Sequence, residues 1–362
     1  MENQRWSHID LLKVIAVFFM LLYHGTIYSV DFLSEPSLVR YLLYYGRTIV
    51  STCVPLFFFV NGYLLFGKEF SLRMHMQKLI KLTVQTMFWA VITLVLLQVI
   101  RHEHFSLIEF AKAIWHWKLD WINHLWYMGA LICIYLFFPL LKNVFDTNFK
   151  LFCYFTVVCS VLTFGNTIIN SAVTVFSGVF SKQPMVLEGV NFFNIFNPLR
   201  GIHSFTFVYF CLGGIAYHFR NKINGLISKR TNVVSVTGIF VACLGLFGIG
   251  LCYSYGAGTM WDVIWGGYDS VFTLFNVIFI YLLSLNWKKD LPVIRLISEN
   301  TLGIYYIHWI LLRCTRLYIA KYDIFMNFPC NLVYVVVILA GCLAICWLLQ
   351  KSVILRNLIQ YK

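Results

Sequence analysis

Charge is what this chain has least of. Asp, Glu, Lys and Arg make up only 12% of its 362 residues, and acids are the scarcer sign, 15 against 28 bases. With 60% hydrophobic residues and a mean hydropathy of +0.76, such a chain lies outside the range of soluble domains. The formal charge of +13 raises nucleic acid as a partner, but no soluble basic domain exists to meet one. The bases are scattered in short connectors between apolar runs, where a membrane-topology signal accounts for them. The 11 cysteines show neither a C-x-x-C nor a paired Cys/His spacing, and Cys342 and Cys346 merely stand one helical turn apart. Metal ligation is therefore not expected, and the cysteines read as small packing residues. No small-residue cleavage pattern follows the first apolar run, which also contains Lys13, so that run is expected to stay in the mature chain rather than leave as a signal peptide. Internal repeats and low-complexity segments are lacking as well. What remains is an all-α, polytopic membrane protein, expected as a single membrane-embedded domain over 1–362.

A spanning helix needs about 20 apolar residues. Ten runs qualify, near 9–29, 43–66, 79–100, 125–141, 151–169, 203–219, 233–253, 269–286, 301–320 and 332–350. An even number places both ends on one side. Alternate connectors divide the 28 Lys and Arg into sets of 18 and 10, and the set of 10 carries nine of the 15 acids. By the positive-inside rule both termini are then cytoplasmic.

On that topology the cytoplasmic connectors are short and basic, most of all Lys68 to Lys81, KEFSLRMHMQKLIK. Two outer connectors are long. The first, 101–124, holds a capping box, Ser106 with Glu109, followed by apolar Phe110, Ala111, Ile114 and Trp115, the pattern of an interfacial helix. Trp115, Trp117, Trp121 and Trp126 suit anchoring at headgroup depth. The second, 170–202, is broken by Pro184 and Pro198 and reads equally as an acceptor-recognition loop or an ordinary lid.

The first run, IDLLKVIAVFFMLLYHGTIYS, holds the most unusual polar residues. Lys13 and His24 are eleven residues apart, which sets them within roughly 20° of one helix face and about 16 Å apart along the axis. Asp10 falls within about 60° of Lys13 on the same stripe. An ionisable group at bilayer depth costs on the order of 2.5 to 3.5 kcal/mol or more, so two on one face point to a polar cavity. The plainer alternative is that Lys13 snorkels, Asp10 caps the helix and His24 is a satisfied interior histidine.

Five motifs in order carry a resemblance to a known family. They are Ile9, Asp10, Leu11, Leu12 and Lys13 with His24; VPLFFFVNGYL from Val54 to Leu64; the basic pair Lys78 and Lys81; His124, Leu125, Trp126 and Tyr127; and Ser298, Thr301 to Tyr305 and His308. In these motifs the chain resembles the acyltransferase-3 family of integral membrane acyltransferases. Within it, the chain is similar to the standalone O-acetyltransferases of bacterial surface polysaccharides, such as the one that modifies enterobacterial common antigen. It departs from the family in having lysines at 78 and 81 where arginines are usual, which keeps charge but gives up the planar fork suited to phosphate, and in Asn61 where serine is usual. Asn61 is given no catalytic role.

The resemblance implies an acyl-CoA donor, usually acetyl-CoA, arriving from the cytoplasm as a co-substrate with no resident cofactor. The acceptor it implies is a glycan or lipid-linked glycan, at the inner membrane of a bacterium. Acetyl transfer to a hydroxyl needs a base or a nucleophile, and histidine serves as either near neutral pH. His24 is the catalytic candidate, with Lys13 steering the thioester arm or keeping the surroundings electropositive and Asp10 fixing Lys13. Arg73, Lys78 and Lys81 are candidates for the donor phosphates, although plain positive-inside topology explains the same cluster. Tyr305 and His308, three apart, are placed near the cavity or in its packed wall. His124 opens the fourth run as a cap or anchor. Arg313 and Arg316 bind an acidic group or snorkel. The alternative from another class is a transporter or exporter of polysaccharide or lipid-linked sugar, against which stands the lack of paired broken helices in two related halves.

Overall fold

Residues 5–102, 104–116, 122–180, 204–319 and 321–360 are described by a computed structural model. Trp117 and Trp121 of the expected aromatic belt and the Pro184 and Pro198 breaks lie outside the described residues. Helices are the only regular structure among those described. In chain order they are α1 Ser7–Gly25, α2 Leu38–Val50, α3 Cys53–Phe66, α4 Leu72–Arg101, α5 Leu107–His116, α6 Trp126–Thr147, α7 Phe149–Phe180 and α8 Phe205–His218. There follow α9 Arg220–Gly225, α10 Lys229–Ala257, α11 Val271–Ser284, α12 Pro292–Glu299, α13 Thr301–Ile319, α14 Phe328–Gln350 and α15 Val353–Arg356.

A helix forms within each of the ten apolar runs. Seven stretches are long and apolar enough to cross a membrane: Ser7–Gly25, Leu38–Phe66, Leu72–Ile100, Asn123–Thr147, Phe149–Ser177, Lys229–Ala257 and Phe328–Gln350. The other three runs differ for physical reasons. Helices α8 and α11 are apolar but have only 14 residues each, about 21 Å at 1.5 Å per residue. Helix α13 has 19 residues but carries His308, Arg313 and Arg316.

The second run is two helices rather than one. Pro55 lacks the N–H that would bond the Ser51 carbonyl, and its ring crowds that carbonyl, so an unbroken helix stops before it. The hydroxyls of Ser51 and Thr52 turn back to the carbonyls of Thr48 and Ile49 at 2.7 and 2.6 Å, and Pro55 then sits harmlessly in the first turn of α3. The expected interfacial helix forms as α5. Ser106 N and Oγ both donate to Glu109 Oε2 at 2.8 Å, and those two bonds hold the Glu109 carboxyl below its ordinary range.

The chain packs as two compact units. One comprises Met1–Tyr23, Ser29–Lys68 and Val144–Ile294, the other His24–Tyr28, Glu69–Asn143 and Arg295–Lys362. In the first, α3 and α8 lie against each other with no room for side chains at the crossing. A Cβ at Gly62 would overlap the Phe210 carbonyl oxygen, and one at Gly213 the Phe59 carbonyl oxygen. Small residues are what let helices in a membrane approach so closely. Because the obstacles are backbone atoms, Gly62→Ala is expected to destabilise the protein by about 1–3 kcal/mol or more, read as a lower melting temperature in detergent. An unchanged melting temperature contradicts this packing.

Also in the first unit, the segment between α10 and α11 is pinned by Asp262. Its Oδ2 accepts from Tyr23 Oη at 2.7 Å, its Oδ1 accepts from Ile264 N at 3.0 Å, and Arg47 lies 3.6 Å from the same carboxylate. In the second unit α13 packs on α14, and the residues after α15 fold against α4.

Candidate active site

Three histidines far apart in sequence meet in the second unit. The nearest to a fixed point is His308, one turn into the buried half of α13. Its Nδ1 lies 2.6 Å from the Tyr305 carbonyl oxygen and 3.2 Å from that of Ile304. Both partners are acceptors, so Nδ1 must be the protonated nitrogen and Nε2 carries the lone pair. His308 is fully buried, and Nε2 has no hydrogen-bond partner among the described residues.

Tyr305, one turn back, donates its hydroxyl to the His124 carbonyl at 2.5 Å. That bond ties α13 to the short 3₁₀ turn Asn123–Leu125, which precedes α6. His124 is buried there. Its ring stacks on Trp309 with centroids 5.2 Å apart and meets His308 edge-on at 5.7 Å. The guanidinium of Arg313 covers Trp309 at 4.7 Å, a cation–π contact one turn further along α13.

His24 closes the group from the last turn of α1. Its ring stands edge-on to Trp309 at 4.8 Å and lies 5.5 Å from the ring of His308. Asn331 of α14 holds this end of α1 by donating Nδ2 to the Gly25 carbonyl at 2.9 Å, so an otherwise orphaned terminal carbonyl is satisfied. Unlike His124 and His308, His24 is only part-buried. The least buried of the three residues is thus the one on α1, backed by two buried histidines and a tryptophan.

The other expected residues fall as follows. Lys78 and Lys81 lie on α4 in this same unit, about 60° apart around the helix. The Lys78 ammonium stands 5.4 Å from the centroid of the Tyr135 ring, and Lys81 Nζ donates to Asn357 Oδ1 at 3.3 Å. Arg73 is exposed, and helical geometry turns it about 140° away from Lys78. Asp10 and Lys13 belong to the first unit, on the stretch of α1 that leads unbroken to His24. Asp10 Oδ2 accepts from Arg5 Nε at 2.7 Å, and Lys13 is part-buried. Asn61 donates back to the Phe57 carbonyl of its own helix at 2.8 Å.

Sequence reasoning placed His124 as a helix cap or anchor, and it overlooked Trp309 and Asn331. For His124 and Trp309 a signal existed, since both adjoin polar residues already singled out, His124 opening the H-L-W-Y motif and Trp309 following His308. For Asn331 there was none. A lone Asn at the edge of an apolar run looks the same whether it caps its own helix or another. Among the described residues no group of three or more His, Cys, Asp or Glu is arranged to hold a metal ion.

Long apolar helices mark a multi-pass membrane protein, and within it aromatic and imidazole rings gather around His24. Residues 6–351 match the acyltransferase-3 family, described as an acyltransferase domain, and the chain belongs to that family. Comparison with curated proteins and with solved structures gave no match.

Proposed function

We propose that this membrane acyltransferase moves an acetyl group from cytoplasmic acetyl-CoA to a hydroxyl of a surface polysaccharide or its lipid-linked precursor, at the inner membrane of a bacterium. The observation that carries the reading is His24, an imidazole in a long apolar helix of an acyltransferase-family chain, set against two other histidines and a tryptophan.

As a base, His24 takes the proton of the acceptor hydroxyl while that oxygen attacks the thioester carbonyl. The C–S bond breaks and the coenzyme A thiolate leaves, receiving the proton in turn. As a nucleophile, a ring nitrogen of neutral His24 attacks the thioester carbonyl and the C–S bond breaks, expelling the coenzyme A thiolate; the acceptor oxygen then attacks the acetyl-imidazole, the N–acyl bond breaks to regenerate neutral His24, and the hydroxyl proton passes to the thiolate. In either course His308, His124 and Trp309 wall the ring and limit its rotation, and Tyr305 fixes the wall. Lys78 and Lys81, with Arg73 at the helix start, supply cationic partners for the donor phosphates. Asp10 and Lys13 serve the same helix closer to its N-terminus, Lys13 steering the thioester arm. Ten crossings with both termini cytoplasmic, as the 18-to-10 division of bases implies, bring donor and acceptor from opposite faces.

Mass spectrometry of surface glycans from cells with and without the gene tests the reading. Acetyl groups, 42 Da each by their atomic composition, are expected on at least one glycan only when the gene is present, and to return with a plasmid copy. Identical glycan masses in the two strains contradict it.

A further inference from the structure

Away from the three histidines, the first unit carries an apolar groove of about 330 Å³ between α1 and α11, a volume at the lower end of the range for ligand pockets. Helix α1 contributes Leu11, Ile15 and Phe19, spaced four residues apart. Helix α11 contributes Ile280 and Leu283, and Trp287 comes from the turn that follows, where its backbone N–H bonds the Ser284 carbonyl at 2.8 Å. Residues three or four apart share a helix face, so each set forms one stripe. On α1 that stripe lies about 120–160° around the helix from Lys13, which separates the groove from the stripe leading to His24.

The polar groups of the groove gather at one end. Ser284 Oγ donates to the Tyr281 carbonyl at 2.7 Å, and Asn286 Nδ2 donates to Asn232 Oδ1 at 2.7 Å, so both are spent within the protein. The Trp287 indole N–H is buried and has no hydrogen-bond partner among the described residues. Lys288 and Lys289 follow it in the chain, and both are exposed. At about 21 Å, α11 is shorter than the hydrocarbon layer of a bilayer. Residues that flank so short a helix reach to the headgroups. An indole donor and two ammonium groups beside an apolar groove match an amphiphile with an anionic head.

From this arrangement we infer that the groove holds an acyl chain of an anionic phospholipid from the surrounding membrane, its phosphate meeting Lys288, Lys289 and the Trp287 N–H. The bilayer supplies such an occupant at high local concentration, and the lysines select it by charge. A zwitterionic lipid has the same chains but cancels its phosphate charge within its own headgroup, whereas basic pockets between spanning helices favour anionic heads. Lys288 and Lys289 belong to the 18 bases assigned to the cytoplasmic side, so the lipid is drawn from the cytoplasmic leaflet. Its chain joins α1 to α11, and binding is expected to raise the melting temperature.

The test uses the delipidated full chain in neutral detergent, phosphatidylglycerol as the probe, and native mass spectrometry to count protein–lipid complexes. Phosphatidylglycerol is expected to bind at least about tenfold more tightly than phosphatidylcholine with the same chains. Lys288→Gln with Lys289→Gln is expected to weaken it about tenfold, and Trp287→Phe, which keeps a ring but loses the donor, about threefold. Ile15→Trp fills the groove and is expected to weaken it at least about tenfold, because burial of the chain is lost. Lys150→Gln with Lys222→Gln, exposed bases on α7 and α9 that do not line the groove, is expected to change nothing. Phosphatidylglycerol with a photoreactive group in its chain is expected to label α1 and α11 of the wild type. Equal weakening by the two pairs of substitutions would reduce the lysines to general surface charge and overturn the inference. Labelling spread evenly over the other long helices overturns it as well, whether or not any variant folds. Displacement of the lipid by equimolar inorganic phosphate also overturns it, since the head would then bind without the chain.

Discussion

His24→Ala is expected to lower acetyl transfer by at least about 10²-fold, the lower end of what a general base contributes. Expression and membrane insertion are expected to stay near wild type, because removing a polar group from a spanning helix eases insertion. The hole left behind is lined by Trp309 and His308. The His308 Nδ1 proton is committed to two carbonyls of its own helix, and the Trp309 indole is a donor only. His24→Gln separates chemistry from architecture. Glutamine hydrogen-bonds and roughly fills the space, yet it neither takes a proton at neutral pH nor forms a reactive acyl adduct. A wall residue is expected to tolerate it and a reacting one is not. Activity of His24→Gln within tenfold of wild type would move the role to another group, and His308 with its bare Nε2 is the next to test.

The second large effect concerns the donor. Changing Lys78 and Lys81 together to Gln removes two cationic partners, each worth roughly 1.5 kcal/mol if it makes a charge-assisted hydrogen bond to phosphate, so KM for acetyl-CoA is expected to rise about 10²-fold. If these contacts are made equally in the bound and transition states, kcat stays unchanged. What affinity remains is expected to respond less to salt. Lys112→Gln, on exposed α5, serves as the control and leaves KM alone. Donor affinity that survives the double change would reduce these lysines to markers of membrane topology. Tyr135 beneath Lys78 and Asn357 beside Lys81 argue that both side chains are placed, not merely tolerated.

Much of the architecture is visible in the amino-acid order because hydropathy and capping are local. Each apolar run holds a helix, the second holding two, and Ser106 with Glu109 capped α5 as their spacing requires. The break between α2 and α3 was legible in Pro55 but outweighed by the apolar run around it. The catalytic candidate stood out for a different reason, since an imidazole inside an apolar run is costly enough to demand an explanation. What surrounds it was not legible. His124 and His308 are 184 positions apart, and only the fold brings their rings to 5.7 Å. Asn357 follows a short helix with no periodicity to betray it, and its bond to Lys81 spans 276 positions. Such pairs are created by tertiary packing, so no local pattern encodes them.

The most direct test of the central claim uses the purified protein in detergent, where no membrane gradient exists. Isotope-labelled acetyl-CoA and the glycan whose acetylation depends on the gene are mixed with wild type or His24→Gln, and labelled glycan is measured against free coenzyme A. The account predicts one coenzyme A released per acetyl group transferred by the wild type, and at least about 10²-fold less of both with His24→Gln. Equal transfer by the two proteins, or glycan movement across a vesicle membrane that needs a gradient and releases no coenzyme A, would contradict it.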